Sequence, residues 1–176
     1  LKRIFRHFIK PMLENAGGIE DIKSASRGEG PLSRYLSRFM PKPDEKVMID
    51  HIYAEWHGKS DAKGALLYLH GGAFVIGSPK SHRGLVKNIT KFASFRTLSI
   101  DYRLAPEHQF PAALEDAEKA YDWLLENGYS PENIALAGDS AGGCLTLALL
   151  LKLKEVEKPL PSCAVAMSPW TDLTGS

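Results

Sequence analysis

The pentapeptide Gly138-Asp139-Ser140-Ala141-Gly142 sets one hydroxyl nucleophile among small residues, where a strand-like run passes directly into a helix-like one. A sharp turn at that junction holds a serine in a sparsely allowed backbone conformation with its hydroxyl exposed. Glycines two residues before and after let adjacent backbones pass where a Cβ would not fit. The helix beginning at Ser140 adds unpaired N–H groups and the positive end of its dipole, which favour negative charge developing on a substrate oxygen. The Ala141 N–H is the best-placed donor. The same letters also suit a plain glycine-rich turn with Ser140 as a helix cap, so the pentapeptide alone leaves both readings open.

A second stretch, His70-Gly71-Gly72-Ala73-Phe74, weighs towards chemistry. Acyl transfer needs backbone donors from a second loop, and glycines let that backbone approach an oxyanion without side-chain obstruction. Without Ser140 it would read as a β-turn carrying a histidine.

These segments need elements to position them. Ile4, Phe5, Phe8, Ile9, Met12 and Leu13 recur at helical steps with basic residues between them, and a second short helix is expected over Leu32 to Met40. A basic amphipathic helix can lie on a membrane; covering an apolar patch of its own protein is the reading taken here, so residues 1–46 form a helical cap segment. From Pro43 the pattern changes. Val47 to Trp56 reads as an edge strand, with or without a neighbour, and Ala65–Leu69 as a strand buried on both faces. A helix from Ser81 to Phe92, a strand Arg96–Asp101 and a helix from Pro111 to Asn127 follow, the last stopped by Gly128. Asn133–Gly138 is a strand, Ser140 to Lys154 a helix and Cys163–Met167 a strand. This alternation over residues 47–176 predicts an α/β fold with a mostly parallel sheet and helices on both faces. Sites in such sheets form at the carboxyl ends of strands, where His70, Asp101 and Ser140 all fall.

Composition narrows the function classes. The 176 residues are 44% hydrophobic and 24% charged, enough to bury a core, and 22 basic against 21 acidic residues leave a net charge of +1. That balance gives no reason to expect a nucleic-acid partner. The longest apolar run, Leu145–Leu151, is far short of the roughly 20 residues of a membrane span, so no stable membrane insertion is expected. Nor does the amino terminus read as a signal peptide. Cys144 and Cys163 are expected to be free, small core residues, in keeping with a cytoplasmic location.

The chain resembles the hormone-sensitive-lipase-like branch of the α/β-hydrolases, which contains many bacterial carboxylesterases. The resemblance rests on His70-Gly71-Gly72-Ala73-Phe74, Asp101-Tyr102-Arg103-Leu104-Ala105-Pro106-Glu107, Phe110-Pro111-Ala112-Ala113, Gly138-Asp139-Ser140-Ala141-Gly142-Gly143 and Ser168-Pro169-Trp170-Thr171-Asp172-Leu173. It implies a three-layer α/β-hydrolase with Ser140 as nucleophile and Asp139 supporting the motif. It also implies an oxyanion hole drawn from Gly71, Gly72, Ala73 and Ala141. By position, Gly72 and Ala73 are the expected donors, Gly71 makes the turn and His70 braces the loop. The family usually has a third glycine where this chain has Ala73, a small residue whose N–H remains. Arg103 and Glu107 are expected to form a buried or semi-buried pair that pins their loop, with His108 structural or solvated. No metal or organic cofactor is implied.

An activated serine needs a base oriented by a carboxylate, in the chain order Ser, Asp or Glu, His. All six histidines, His7, His51, His57, His70, His82 and His108, precede Ser140, and only Glu155, Glu157 and Asp172 are acidic after it. The chain is therefore expected to be the amino-terminal part of a larger hydrolase, whose missing carboxyl-terminal half supplies both groups. The expected activity is hydrolysis of small, fairly apolar esters through an acyl-enzyme. A ligand-binding protein on the same fold, or an amide or lactone hydrolase, stays open, as do oligomeric state and acyl preference.

Overall fold

A computed structural model describes residues 41–172; the helices expected before residue 41 lie outside them. Where the sequence suggested an edge strand, with or without a neighbour, there are two strands in a hairpin, β1 (Glu45–Ile49) and β2 (Ile52–His57). Its two-residue turn puts Asp50 at a φ of 57°, the left-handed region that an aspartate tolerates. Alternation then works as a period-two pattern must: Ile52, Ala54 and Trp56 enter the main core, while Tyr53, Glu55 and His57 point to the opposite face.

The chain continues through β3 (Gly64–Leu69), α1 (Pro79–Phe92), β4 (Phe95–Ile100) and α2 (Ala112–Glu126). It then passes through β5 (Ile134–Asp139), α3 (Ala141–Glu155) and β6 (Cys163–Met167). In space the strand order is β1-β2-β4-β3-β5-β6, with β1, β2 and β4 antiparallel to their neighbours in the hairpin half, and β4, β3, β5 and β6 mutually parallel. Every residue of β3 is buried, as the continuous apolar run required.

Helices cover both faces. On one, Val86 of α1 packs on Leu66, Tyr68, Ala135 and Ala137. On the other, α2 lays down Ala117, Ala120, Tyr121 and Leu124 at helical spacing beside Leu145, Leu149 and Leu153 of α3, over Leu67, Leu98, Ile100 and Leu136. α1 starts two residues earlier than expected. Ser78 accepts from the Ser81 N–H in a reciprocal capping box, with Pro79 as first helical residue, and the Ser-Pro pair was the available signal. α2 ends as expected at Gly128, whose φ of 88° allows the Gly128 N–H to reach the Leu125 carbonyl and the Tyr129 N–H the Leu124 carbonyl.

Two expectations are corrected. Both cysteines are free, but Cys163 is exposed rather than a core residue, because β6 pairs only with β5 among the described residues. Arg103 pins its loop through α2 instead of through Glu107, which is exposed: its guanidinium binds Asp116 and Glu115, and its backbone N–H donates to Asp116 at 2.8 Å. None of the described helices is long and apolar enough to cross a membrane.

Candidate active site

The sheet order creates the site. β3 connects through α1 to β4 on one side, whereas β5 connects through α3 to β6 on the other, so the carboxyl ends of β3 and β5 open a crevice between diverging connections. Leu69 pairs directly with Gly138. The loop after Leu69 and the turn after Gly138 are thereby neighbours although they lie far apart in sequence.

Ser140 occupies that turn at φ 52°, ψ −116°, a conformation costing a non-glycine residue roughly 1–3 kcal/mol. Surrounding contacts hold it there. Its N–H donates to the Met167 carbonyl at 2.9 Å, and its carbonyl accepts from the Cys144 N–H at 3.1 Å and the Trp170 N–H at 3.0 Å. The glycines permit the close approach that makes this possible. A Cβ on Gly142 would collide with the Leu69 carbonyl, and one on Gly138 with the Gly142 carbonyl. The Ser140 side chain is exposed, ahead of a 15-residue helix whose first N–H groups point towards it.

The facing loop is held by Asp139. Its Oδ1 accepts from the Gly71 N–H at 2.9 Å and from the Tyr68 hydroxyl at 2.6 Å, and its Oδ2 lies 3.7 Å from His82 Nε2. Burial pushes this carboxyl upward, but hydrogen bonds and the charge of His82 outweigh it, together with Tyr68 and Gly71, and bring the pKa to about 2. The Gly71 N–H is thus spent on Asp139, which separates it from Gly72 and Ala73 in the expected donor set. Among the described residues no protein acceptor takes the N–H of Gly72, Ala73 or Ala141.

The loop's shape also explains its composition. Gly72 has a φ of 132°, and a Cβ there would strike the Ile76 carbonyl. Ala73, in place of the family's third glycine, sits at φ 55°, where a Cβ is accommodated at a cost of about 1 kcal/mol. His70 braces the loop from below: Nδ1 meets the Gly71 carbonyl at 2.9 Å, which puts its proton on Nδ1, and the ring stacks on Tyr102 at 4.2 Å. Tyr102 in turn donates to the His70 carbonyl at 2.6 Å. Complete burial lowers the His70 pKa to about 4.

A mainly apolar cavity of about 280 Å³ lies between the glycine loop and the first turns of α3, lined by Phe74, Leu114, Cys144, Leu145 and Ala148 and edged by Arg103 and His108. A larger hollow, about 550 Å³, opens by His57 and Phe95 at the other end of the sheet and contains none of the acyl-transfer motifs. Tyr68 and His82 are site residues that the sequence motifs do not single out, and Tyr102 lies within a motif that assigns it no role. Among the described residues no imidazole hydrogen-bonds to the Ser140 hydroxyl.

A strand, a strained exposed serine and a helix, set against a glycine loop at the switch point of a mainly parallel sheet, define an α/β hydrolase. A family model described as the alpha/beta hydrolase fold matches residues 66–176, and the chain belongs to that family. More narrowly, it falls in the hormone-sensitive-lipase-like branch that its motifs resemble. Over 132 residues it is 47% identical to an acetyl-hydrolase of Streptomyces hygroscopicus, covering 74% of this chain and 44% of that protein. It is 50% identical over 109 residues to the esterase LipU of Mycobacterium tuberculosis, covering 62% and 36%. A solved esterase from the bacterial hormone-sensitive lipase family superposes with a TM-score of 0.74 at 40% identity, over 93% of this chain and 59% of that one. The chain thus spans less than half the length of those two curated relatives.

Proposed function

We propose that this chain is the nucleophile-bearing part of a serine carboxylesterase for small, fairly apolar esters. The observation that carries the reading is the exposed Ser140 at φ 52°, facing a glycine loop tied to its own turn through Asp139. Ser140 Oγ attacks the ester carbonyl carbon and its proton passes to a base. The carbonyl oxygen becomes an oxyanion, held by the N–H groups of Gly72, Ala73 and Ala141. Collapse of that intermediate breaks the bond to the alkoxy group, which leaves as the alcohol with the proton from the base. Water then attacks the acyl-enzyme and releases the carboxylic acid.

We assign the base and its orienting carboxylate to the length of the relatives that this chain does not span, since no histidine follows Ser140. The apolar cavity walled by Phe74, α2 and α3 receives the acyl group, and the segment ahead of β1, residues 1–44, acts as its cap. The two free cysteines support a reducing, cytoplasmic setting. In the protein carrying the complete fold, Ser140→Ala is expected to lower hydrolysis of p-nitrophenyl butyrate by at least about 10⁴-fold while the protein stays folded. Retained hydrolysis would refute the assignment, and ester binding without any turnover by the unaltered protein would replace it with a receptor role.

A further inference from the structure

The geometry points to His82, on the first turn of α1, as a positioning residue for the oxyanion hole, acting through Asp139. This rests on the esterase reading above. The ring is fixed by the helix cap: Nδ1 lies 2.9 Å from Ser81 Oγ and 3.2 Å from the Ser78 carbonyl oxygen. Ser81 Oγ already donates its own proton to that carbonyl at 2.9 Å, so both groups facing Nδ1 are acceptors and Nδ1 carries a hydrogen. The opposite nitrogen, Nε2, faces Asp139 Oδ2 at 3.7 Å. Both ends of the ring thus face acceptors, the Ser78 carbonyl and Ser81 hydroxyl at one and the Asp139 carboxylate at the other.

The consequence falls on the hole. Asp139 Oδ1 is shared by the Tyr68 hydroxyl and the Gly71 N–H, and Gly71 immediately precedes the two proposed donors. A carboxylate anchored on its far oxygen by His82 keeps Oδ1 turned to Gly71, which fixes the orientation of the next peptides. The other ionisable groups beside His82 are the rings of His70, at 5.4 Å between centroids, and Tyr68, at 6.4 Å. Both stay neutral, since burial lowers the His70 pKa and raises that of the Tyr68 phenol. His82 therefore acts on the hole only through Asp139, its ring facing the carboxylate from the far side.

The test compares His82→Phe, which removes the donor, with His82→Gln, which keeps an N–H at similar reach. Both are made in the protein carrying the complete fold. Because loss of one oxyanion donor costs about 100- to 1,000-fold, loosening two of them is expected to lower kcat about 10- to 100-fold in the Phe variant, with KM within about twofold. The Gln variant is expected to stay within about fivefold of wild type, and in an Asp139→Asn background His82→Phe should cost less than about twofold more. Amide hydrogen exchange over residues 69–75 gives a second readout independent of turnover, expected to speed up about tenfold in the Phe variant alone. Equal losses in the Phe and Gln variants, a full loss in the Asp139→Asn background, or wild-type kcat in the Phe variant would overturn the proposal. Should the Phe variant not fold, His82→Asn, whose amide is too short to reach Asp139, takes its place with the same expectations. A wild-type protein that hydrolyses no ester would sink the esterase reading instead, and hydrogen exchange would still decide the role of His82.

Discussion

Ser140 and the loop facing it are exceptional residues because each breaks a local rule that its neighbours then enforce. A serine at φ 52° persists because Met167, Cys144 and Trp170 hold its backbone. His70 is a second case, a histidine with no exposed surface, placed beneath the donors to hold the Gly71 carbonyl. Its burial has a measurable consequence. In the unfolded chain it takes up a proton near its ordinary pKa of 6.5, whereas in the fold that value is lowered to about 4. Between those values the unfolded state binds more protons, so this stability is complete above pH 6.5 and is lost as the pH falls towards 4. Each tenfold weakening of proton binding is worth about 1.4 kcal/mol, so the loss at the lower limit is about 3 kcal/mol. Denaturant unfolding of wild type and His70→Gln across this pH range measures it, and the variant is expected to show the shallower decline. Equal slopes would mean that the imidazole is solvated.

The elements account for why these residues meet. The strand that carries the loop and the strand that carries the elbow are hydrogen-bonded neighbours, and α1, α2 and α3 divide between the two faces of the sheet. α3 and α2 also wall the apolar cavity, which gives the acyl preference a handle. Ala148 lines it, half-buried, two turns along the helix from Ser140. Each methylene buried there is worth about 0.8 kcal/mol, or roughly fourfold in rate, so two methylenes separate butyrate from acetate by roughly 15-fold. Filling the space with Ala148→Phe is expected to remove about that factor from kcat/KM for p-nitrophenyl butyrate while changing acetate by less than about threefold. A uniform drop for both esters would place the acyl chain elsewhere.

Across the whole molecule, local backbone requirements were the legible part. The glycine spacing around Ser140, the continuous apolar run of β3 and the Gly128 stop each follow from what a short segment of backbone demands, and each is where it was expected. Contacts between layers were harder to read. Nothing in one sequence says that β3 lies between β4 and β5, or that His82 of α1 reaches Asp139 at the end of β5, because neither contact imposes a pattern on either segment. Arg103 shows a signal that was present and missed. Asp116 interrupts the apolar stripe of α2 between Ala112 and Ala120, and a carboxylate buried on a core face needs a cation and donors, here Arg103 and His51. The hairpin resembles one strand in sequence because Asp50-His51 is not a pair that marks a two-residue turn. Cys163 looks like a core residue only if β6 is paired on both sides, whereas among the described residues its outer side is bare and Val165 is exposed with it.

The central claim, that Ser140 is an activated acyl-transfer nucleophile, is tested most directly by a fluorophosphonate that phosphonylates activated serines. The protein carrying the complete fold would be labelled, digested and mapped by mass spectrometry. A single adduct on Ser140, prevented by prior incubation with a competing ester, is the predicted result. Absence of any adduct under conditions that label a control serine esterase, or an adduct on another serine with Ser140 unmodified, would contradict it.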